Sequence, residues 1–355
     1  MKKAFIAVIV TAIGIFSVSN LFAVSQAAVL FLMISPGARS AGMGEAFVSV
    51  ADDATAAYWN PAGLAFQTKR EVTLMHCQWL PQLVGDMYYE YFAYCQHVES
   101  LGGTIGGNII FLNLGEQVWT GEQGPEPLGT FNSWDMAVSL CYATKLTPNL
   151  GLGVGVKYIR SNLAPMGAGE EKGKGVGSAF AVDLGVLYKL PFFSALSFGA
   201  NLSNMGPKIT YIDAAQADPL PTNLKIGLAC RILDMEYNRL TIAMDTNKLL
   251  VRGREDEEGN WTYDPFYKAI LTSWTDGSFA DQTKRLISSI GAEYVYNNMI
   301  FLRAGYYYDQ EGKVKYPAFG AGLQYSSFRF DFAYVAAESG HPLSDTMRFS
   351  LTAGF

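Results

Sequence analysis

The chain is short of charge. Asp, Glu, Lys and Arg make up 16% of its 355 residues, where a soluble globular protein averages about 25%. The net charge of −6 gives no basic footprint, so no nucleic-acid partner is expected. Half of the residues are apolar, which excludes a disordered chain because so much apolar surface can offset the entropy of ordering.

Cysteine and histidine are also scarce. Four Cys in 355 residues are too few for a disulfide scaffold. We expect them to be small apolar residues on strands, although an oxidising compartment leaves a disulfide open. The three His lie far apart without a Cys or carboxylate at ligand spacing, so neither a metal nor another cofactor is expected. No G-x-S-x-G motif occurs, and no other nucleophile constellation suggests an enzyme.

Long apolar runs are confined to the N-terminus. Residues 1–27 are predicted to be a signal peptide, because Lys2 and Lys3 precede an apolar run and small residues follow at 23–28. The alternative is an uncleaved anchor helix, since 29–34 is apolar again, but polar residues interrupt that stretch. No later run reaches about 18 apolar residues. An exported chain of this kind is either a secreted all-β protein or a transmembrane β-barrel.

What the chain does have is period-2 alternation. Near the end, Phe349, Leu351 and Phe355 alternate with Arg348 and Ser350, which places large apolar residues on one face and small or polar residues on the other. A small or polar second face suits the inside of a barrel. The same pattern predicts fourteen strands, an even number, at 71–78, 86–97, 101–112, 133–146, 150–161, 177–190, 195–204, 222–233, 238–247, 286–296, 299–308, 317–326, 328–336 and 345–355.

The predicted connections alternate in length. Those after even-numbered strands are tight, whereas most of those after odd-numbered strands are long, including 113–132 and 248–285. This asymmetry is typical of outer-membrane barrels with periplasmic turns and extracellular loops, and it puts both termini in the periplasm. Tyrosines including Tyr89, Tyr91 and Tyr307 are expected on outward faces or near strand ends, as an interfacial girdle. The prediction is an all-β, 14-stranded antiparallel transmembrane barrel over 70–355.

Residues 28–69 have a different character. They are rich in small residues, and Asp52, Asp53 and Thr55 suggest a short capped helix that a turn at Asn60–Gly63 ends. A segment of this length cannot fold alone, but it can fill a barrel that is otherwise wide enough to leak. We expect Arg39 and Glu45 to pair with lumenal charges such as Asp183, Arg303, Arg329 or Arg348. The residues predicted to form this plug are Pro36, Arg39, Gly42, Gly44, Glu45, Asp52, Asp53, Tyr58, Trp59, Asn60, Pro61 and Gly63.

Five blocks of the sequence resemble known families of outer-membrane barrels. "GMGEAFVSVADDATAAYWNPAGLA" at 42–65 is similar to the plug motif of FadL-type outer-membrane barrels. Four further blocks resemble the PorV family of type IX secretion system proteins, and the related PorQ branch is the alternative assignment. These blocks are "FLMISPGARSAGMGEA" at 31–46, "DPFYKAILTSW" at 264–274, "GAEYVYNNMIFLRAGYYY" at 291–308 and "HPLSDTMRFSLTAGF" at 341–355.

The resemblance implies a non-enzymatic shuttle. Members of such a family receive secreted cargo with a C-terminal β-sandwich signal domain from the translocon and pass it to the sortase-like attachment complex at the cell surface. The partners expected are therefore these proteins and outer-membrane lipid. The resemblance also implies that Phe349, Leu351 and Phe355 belong to the barrel-insertion signal.

The loop 248–285 is the predicted partner surface. It combines a charge run at 252–258 with many aromatics, as interfaces do. The alternative interpretation, a lid folded over the mouth of the barrel, has equal weight, and the loop can serve both roles. The candidate contact residues are Trp261, Tyr263, Asp264, Phe266, Tyr267, Trp274 and, in another loop, His341. The alternative function is a FadL-like transporter of hydrophobic small molecules, which an apolar lumenal path beside residues 37–63 would favour.

Overall fold

The fold was obtained as a computed structural model, which describes residues 27–120, 126–165, 174–191, 195–213, 216–255 and 261–355. The predicted signal peptide lies, except for Ala27, outside these ranges. Among the described residues, none of the helices combines the length and the apolarity needed to cross a membrane.

Fourteen antiparallel strands close into one barrel, as the alternation predicts. They are β1 Glu71–Gln78, β2 Tyr88–Val98, β3 Gly103–Thr120, β4 Pro127–Thr147, β5 Leu150–Asn162, β6 Val176–Lys189, β7 Leu196–Met205, β8 Asn223–Asp234, β9 Asn238–Leu249, β12 Ile287–Tyr296, β13 Ile300–Asp309, β14 Val314–Tyr325, β15 Phe328–Val335 and β16 Thr346–Gly354. Strands β10 Gly253–Glu255 and β11 Trp261–Tyr263 form a separate two-stranded sheet. The barrel closes where β1 pairs with β16, from Glu71 opposite Gly354 to Cys77 opposite Arg348.

One hairpin is longer than the sequence predicts. The expected loop at 113–132 is largely strand, because β3 continues to Thr120 and β4 begins at Pro127. The ladder passes a register shift between Asn113 and Glu116 and then continues. Most side chains beyond it are exposed on both faces, so the alternation that signals a strand is lost although the backbone pairing persists.

The two faces of the wall follow the predicted alternation. In β16, Phe349 and Leu351 are 40% and 44% exposed on the outside, whereas Arg348 and Ser350 face the lumen and are buried. The tyrosine girdle prediction is wrong for Tyr307, whose ring stacks on the lumenal Tyr316, and for Tyr89 and Tyr91, which are buried. These two rings point inward, and Tyr89 donates a hydrogen bond from its hydroxyl to the carbonyl of Ile34 (2.9 Å).

The connections separate into two ends. The short-turn end carries tight connections such as those at 147–150, 296–300 and 325–328, the start of β1 and the finish of β16. The long-loop end carries the connections after the odd-numbered strands β1 to β7, after β9, and after β13 and β15.

The plug, residues 35–66, fills the lumen and forms its core. It contains helices α1 Ala38–Gly42 and α2 Ala56–Trp59 and a 3-10 helix at Pro61–Phe66, preceded by another at Leu30–Met33. Lumenal glycines let the plug backbone approach the wall. At Gly305 of β13 a side chain would overlap the backbone of Met43 and Gly44, and Gly44 itself adopts a φ of +62°.

Candidate functional site

The plug is held to the wall by a closed ring of alternating charges. Arg39 and Asp53 come from the plug, Glu293 from β12, Arg303 from β13, and Arg329 and Asp331 from β15. We call these six residues the charge ring. The distances are Arg39–Asp53 2.9 Å, Arg39–Glu293 2.8 Å, Glu293–Arg303 2.7 Å, Arg303–Asp331 2.8 Å, Asp331–Arg329 2.8 Å and Arg329–Asp53 3.2 Å.

Each member of the charge ring contacts two opposite charges, and none of the six side chains is more than 13% exposed. Such an arrangement balances the cost of removing charges from water, which an isolated buried charge cannot do. The ring therefore ties the plug to three strands at once. Asp52, whose side chain is more than half exposed, adds a further contact to Arg39.

The predicted lumenal pairings are partly correct. Glu45 lies near Arg348 (3.6 Å) and also accepts hydrogen bonds from Ser35 (2.7 Å) and Tyr316 (3.0 Å). Arg39 pairs with Glu293 rather than with Asp183. Asp183 instead binds Lys157 at 3.0 Å within the wall.

The remaining plug residues shape its backbone. The Pro36 carbonyl accepts a hydrogen bond from the Trp59 indole (3.1 Å), and the Asn60 side chain donates to the carbonyls of Val48 (2.9 Å) and Val186 (3.0 Å). Gly42 and Gly63 lie against backbone atoms of Gly320 and Ala51, where a side chain would clash. The predicted turn at 60–63 is in fact the start of a 3-10 helix, in which the Asn60 side chain accepts the Ala62 N–H (3.1 Å).

The predicted cap of the plug helix is wrong in detail. Helix α2 begins at Ala56, and neither Asp52 nor Asp53 caps it with a side-chain hydrogen bond. The carboxylate of Asp53 accepts the Thr55 N–H (3.0 Å) and otherwise serves the charge ring. The two oxygens of this carboxylate thus serve different partners, Oδ1 the neighbouring Thr55 and Oδ2 the ring cations.

Two cavities lie on either side of the plug. A cavity of about 460 Å³ towards the short-turn end is lined by charged residues that include Arg39, Lys189, Arg231 and Arg239. A second, of about 260 Å³ towards the long-loop end, is lined by Trp59, Lys225 and asparagines, and the two share no lining residue. A hydrophobic molecule that followed the lumen would therefore meet a space lined by charged side chains of both signs.

The connection between β9 and β12 forms a small unit that we call the rim cap, described over residues 250–255 and 261–286. It contains the β10–β11 sheet, helix α3 Phe266–Thr272 and helix α4 Phe279–Lys284. Asp264 joins the parts, since it accepts a hydrogen bond from Thr272 (2.8 Å) and pairs with Lys268 (3.1 Å) of α3 and with Arg254 (3.4 Å) of β10. Burial alone raises the pKa of Asp264, but these bonds and charges outweigh it and lower that pKa below its usual range.

The rim cap presents an apolar face to the outside. Tyr267, Leu271 and Trp274 follow helical spacing and lie 68%, 73% and 44% exposed, while Ala269 and Ser273 on the other face are buried. Phe279 is 86% exposed, and Trp261 stacks on Tyr263 with ring centroids 6.5 Å apart. Several exposed aromatic side chains within one short connection are typical of an interaction surface. Phe266, in contrast, is only partly exposed and packs against Tyr267.

Lys248 fastens the rim cap to the barrel. This β9 side chain is buried, donates a hydrogen bond to the Ser273 carbonyl (2.9 Å), contacts Gln282 and lies 4.2 Å from the Trp274 ring. Sequence reasoning missed it, because a single Lys at the end of an alternating strand looks like an ordinary rim charge. The predicted lid and the predicted docking surface are compatible with this attachment.

Replacement of Lys248 should loosen the rim cap. In Lys248→Met the Ser273 carbonyl and the Trp274 ring lose their buried cation, which costs about 1–3 kcal/mol. We expect faster proteolysis within 250–286 of the detergent-solubilised barrel, with unchanged heat-modifiable gel mobility. The matched control is Lys315→Met, a rim lysine whose side chain is more than half exposed. Equal protease sensitivity of both variants would contradict this role of Lys248.

Other predicted residues lie away from the rim cap. His341 lies in the connection after β15, where its Nδ1 accepts the Leu343 N–H (3.1 Å). Within the described ranges no hydrogen bond or ion pair joins it to the rim cap. Phe349, Leu351 and Phe355 all project outward near or at the C-terminus of β16.

Sequence reasoning also missed Glu293 and Asp331. Both lie on the lumenal face of a strand, at a position where other strands have a small residue, and the neighbours on the outward face are apolar. An example is Glu293 between Ala292 and Tyr294. A buried carboxylate at such a position must have a cationic or hydrogen-bonding partner. The alternation therefore predicts that each carboxylate is paired, but it does not identify the partner.

Three comparisons with known proteins bear on this barrel. A family model described as type IX secretion system protein PorV matches residues 19–256. A search of the curated proteins found no match. Among solved structures, the Pseudomonas putida toluene transporter TodX is similar with a TM-score of 0.53 at 13% identity, over 90% of this chain and 99% of that chain. A FadL homologue of Pseudomonas aeruginosa has a TM-score of 0.53 at 12% identity, over 89% of this chain and 97% of that chain. At these identities the likeness concerns the fold alone.

Proposed function

The chain belongs to the PorV family of type IX secretion system proteins, and from this premise we propose that its rim cap binds the C-terminal β-sandwich signal domain of secreted cargo. The protein is an outer-membrane β-barrel of this secretion system. In the proposal it takes cargo from the translocon and delivers it to the sortase-like attachment complex at the cell surface. The observation that carries the proposal is the exposed aromatic face of the rim cap.

The orientation follows from the same proposal. Long loops face the cell exterior, and both the short turns and the termini face the periplasm, as in other outer-membrane barrels. Residues 1–27 direct export, 28–69 form the N-terminal segment and plug, and 70–355 form the barrel. Phe349, Leu351 and Phe355 serve as the insertion signal. This arrangement places the rim cap where emerging cargo meets the cell surface.

Two features of the rim cap suit a β-sandwich partner. In the described residues β10 and β11 pair only with each other, so each keeps an edge that can accept a further strand. The exposed ring of Tyr267 on α3 and that of Trp274, two residues after its end, supply rigid apolar contacts beside this sheet. Backbone pairing would give the affinity, and the rings would select the partner.

The alternative is a transporter of hydrophobic small molecules, which the likeness to the TodX and FadL-homologue folds keeps in view. The plug argues against it, because the charge ring anchors the plug to three strands and the cavity towards the short-turn end is lined largely by charged and polar side chains. Both PorV proteins and FadL-like transporters are transport proteins rather than enzymes.

An affinity measurement tests the proposal. The detergent-solubilised protein should bind a purified signal domain, and Tyr267→Ala combined with Leu271→Ala should weaken that binding at least about tenfold. Tyr325→Ala is the matched control, because Tyr325 is 79% exposed at the opposite end of the barrel. Failure to bind any such domain, together with uptake of a fatty acid or toluene, would instead support the transporter.

A further inference from the structure

The cavity between the plug and the long-loop end contains a cation without a partner. Lys225 of β8 is 9% exposed, and in the described part of the chain its ammonium group has no hydrogen bond and no carboxylate within ion-pair distance. The ammonium group lies over the face of the Trp59 ring, 4.2 Å from its centroid. A buried ammonium in this state requires an anion or water.

Amide oxygens without donors surround the same cation. Asn201 of β7 and Asn247 of β9 lie directly opposite Lys225 in the two strand registers. The Oδ1 atoms of both, and that of Asn223, are buried and accept no hydrogen bond from any described residue. The side-chain amide of Asn201 donates to the Trp59 carbonyl (3.0 Å), which fixes the orientation of its oxygen. Three acceptors and one cation thus converge on one space.

The other charged groups that line this cavity are engaged elsewhere. Lys157 binds Asp183 (3.0 Å), and Glu45 accepts from Ser35 (2.7 Å) and Tyr316 (3.0 Å). Asp309 accepts the Gly312 N–H (2.8 Å). The negative charges of Glu45 and of Asp245 in β9 act on Lys225 from a distance, but neither carboxylate lies within ion-pair distance of its ammonium group.

These observations point to a ligand of definite chemistry. The ammonium group needs an anionic oxygen, and the three amide oxygens need O–H or N–H donors. Leu249 and Ile287 add an apolar wall against which C–H groups can pack. The volume of about 260 Å³ suits a molecule the size of a monosaccharide.

We infer that this cavity binds a small polyhydroxylated carboxylate, a sugar acid, with its carboxylate on Lys225 and its hydroxyls on Asn201, Asn223 and Asn247. The site lies inside the barrel, apart from the rim cap, and goes beyond the proposed function. Leu249 and Asp309, at the strand ends, place it towards the long-loop end.

Calorimetric titration of the whole detergent-solubilised protein tests this site. D-glucuronate should bind, and D-glucose, which lacks the carboxylate, and acetate, which lacks the hydroxyls, should each bind at least about tenfold more weakly. Lys225→Met should weaken glucuronate binding by at least about the same factor. Lys189→Met, a lysine in the other cavity, should leave it unchanged.

Heat-modifiable gel mobility establishes that each variant is folded. If Lys225→Met does not assemble, Asn247→Leu takes its place and should weaken glucuronate binding because one acceptor is lost. No binding at millimolar glucuronate, equal affinity for inorganic phosphate, or unchanged affinity in the assembled variant would overturn the inference. Cargo is absent from this assay, so its failure is distinguishable from failure of the rim-cap proposal.

Discussion

Excision of the rim cap should abolish cargo capture while leaving the barrel assembled. Residues 253–284 can be replaced by a short Gly-Ser linker, because β9 and β12 are already paired neighbours, with Asn247 opposite Ile287. The variant loses the β10–β11 edges and the exposed rings of α3 and α4, so binding of a purified signal domain should fall at least about 100-fold. Secretion of cargo should stop in cells that carry only this variant.

The matched control removes residues 81–85, another loop at the long-loop end that also carries exposed apolar residues, Leu83 and Val84. This deletion should preserve capture, since the loop offers neither the sheet edges nor the helical face of the rim cap. Both variants should retain heat-modifiable mobility. Normal secretion by the excised variant would remove the rim cap from the cargo site.

Substitution of Arg39 should release the plug. In Arg39→Met the buried carboxylates of Asp53 and Glu293 each lose one of two cations, and breaking a buried pair from one side costs about 3–5 kcal/mol. The expected result is a barrel that still assembles but unfolds at lower temperature and conducts ions in a planar bilayer. The unsubstituted protein should conduct little, because its plug stays fixed.

Asp52→Asn is the control for this substitution, since Asp52 contacts the same Arg39 but is more than half exposed. Exposed pairs contribute about 0–1 kcal/mol, so its unfolding temperature and conductance should barely change. The double variant Arg39→Met with Glu293→Gln should lose less stability than the sum of the single variants if the two side chains are coupled. Additive losses and a closed pore in Arg39→Met would contradict anchoring by the charge ring.

The barrel could be predicted from the sequence because the pattern that identifies each strand lies within that strand. Every strand needs an apolar outward face, so Phe349 and Leu351 disclose β16 without any knowledge of its neighbours. The upper part of the β3–β4 hairpin escaped notice because beyond Asn113 both faces are largely exposed. Alternation of apolar and polar residues arises only where the two faces of a strand have different environments. Where both faces are exposed, the sequence does not alternate and the strand is not predicted.

Partners inside the lumen were harder to predict. The sequence places Arg39 and Glu45 among lumenal charges, yet the choice of Glu293 for Arg39 depends on how the plug lies against β12. The attachment through Lys248 depends in the same way on the fold of the rim cap, whose helices are too short to be evident from periodicity. Such contacts depend on how segments distant in sequence pack together, and the local sequence pattern contains little information about that packing.

Photo-crosslinking tests the central claim most directly. A photo-crosslinking amino acid replaces Leu271, 73% exposed on the rim cap, in cells that secrete cargo. The same amino acid replaces Tyr325, 79% exposed at the short-turn end, as the reference position. The account predicts a covalent adduct between the signal domain of cargo and position 271 and none at position 325. Captured cargo that never crosslinks at position 271 would contradict it.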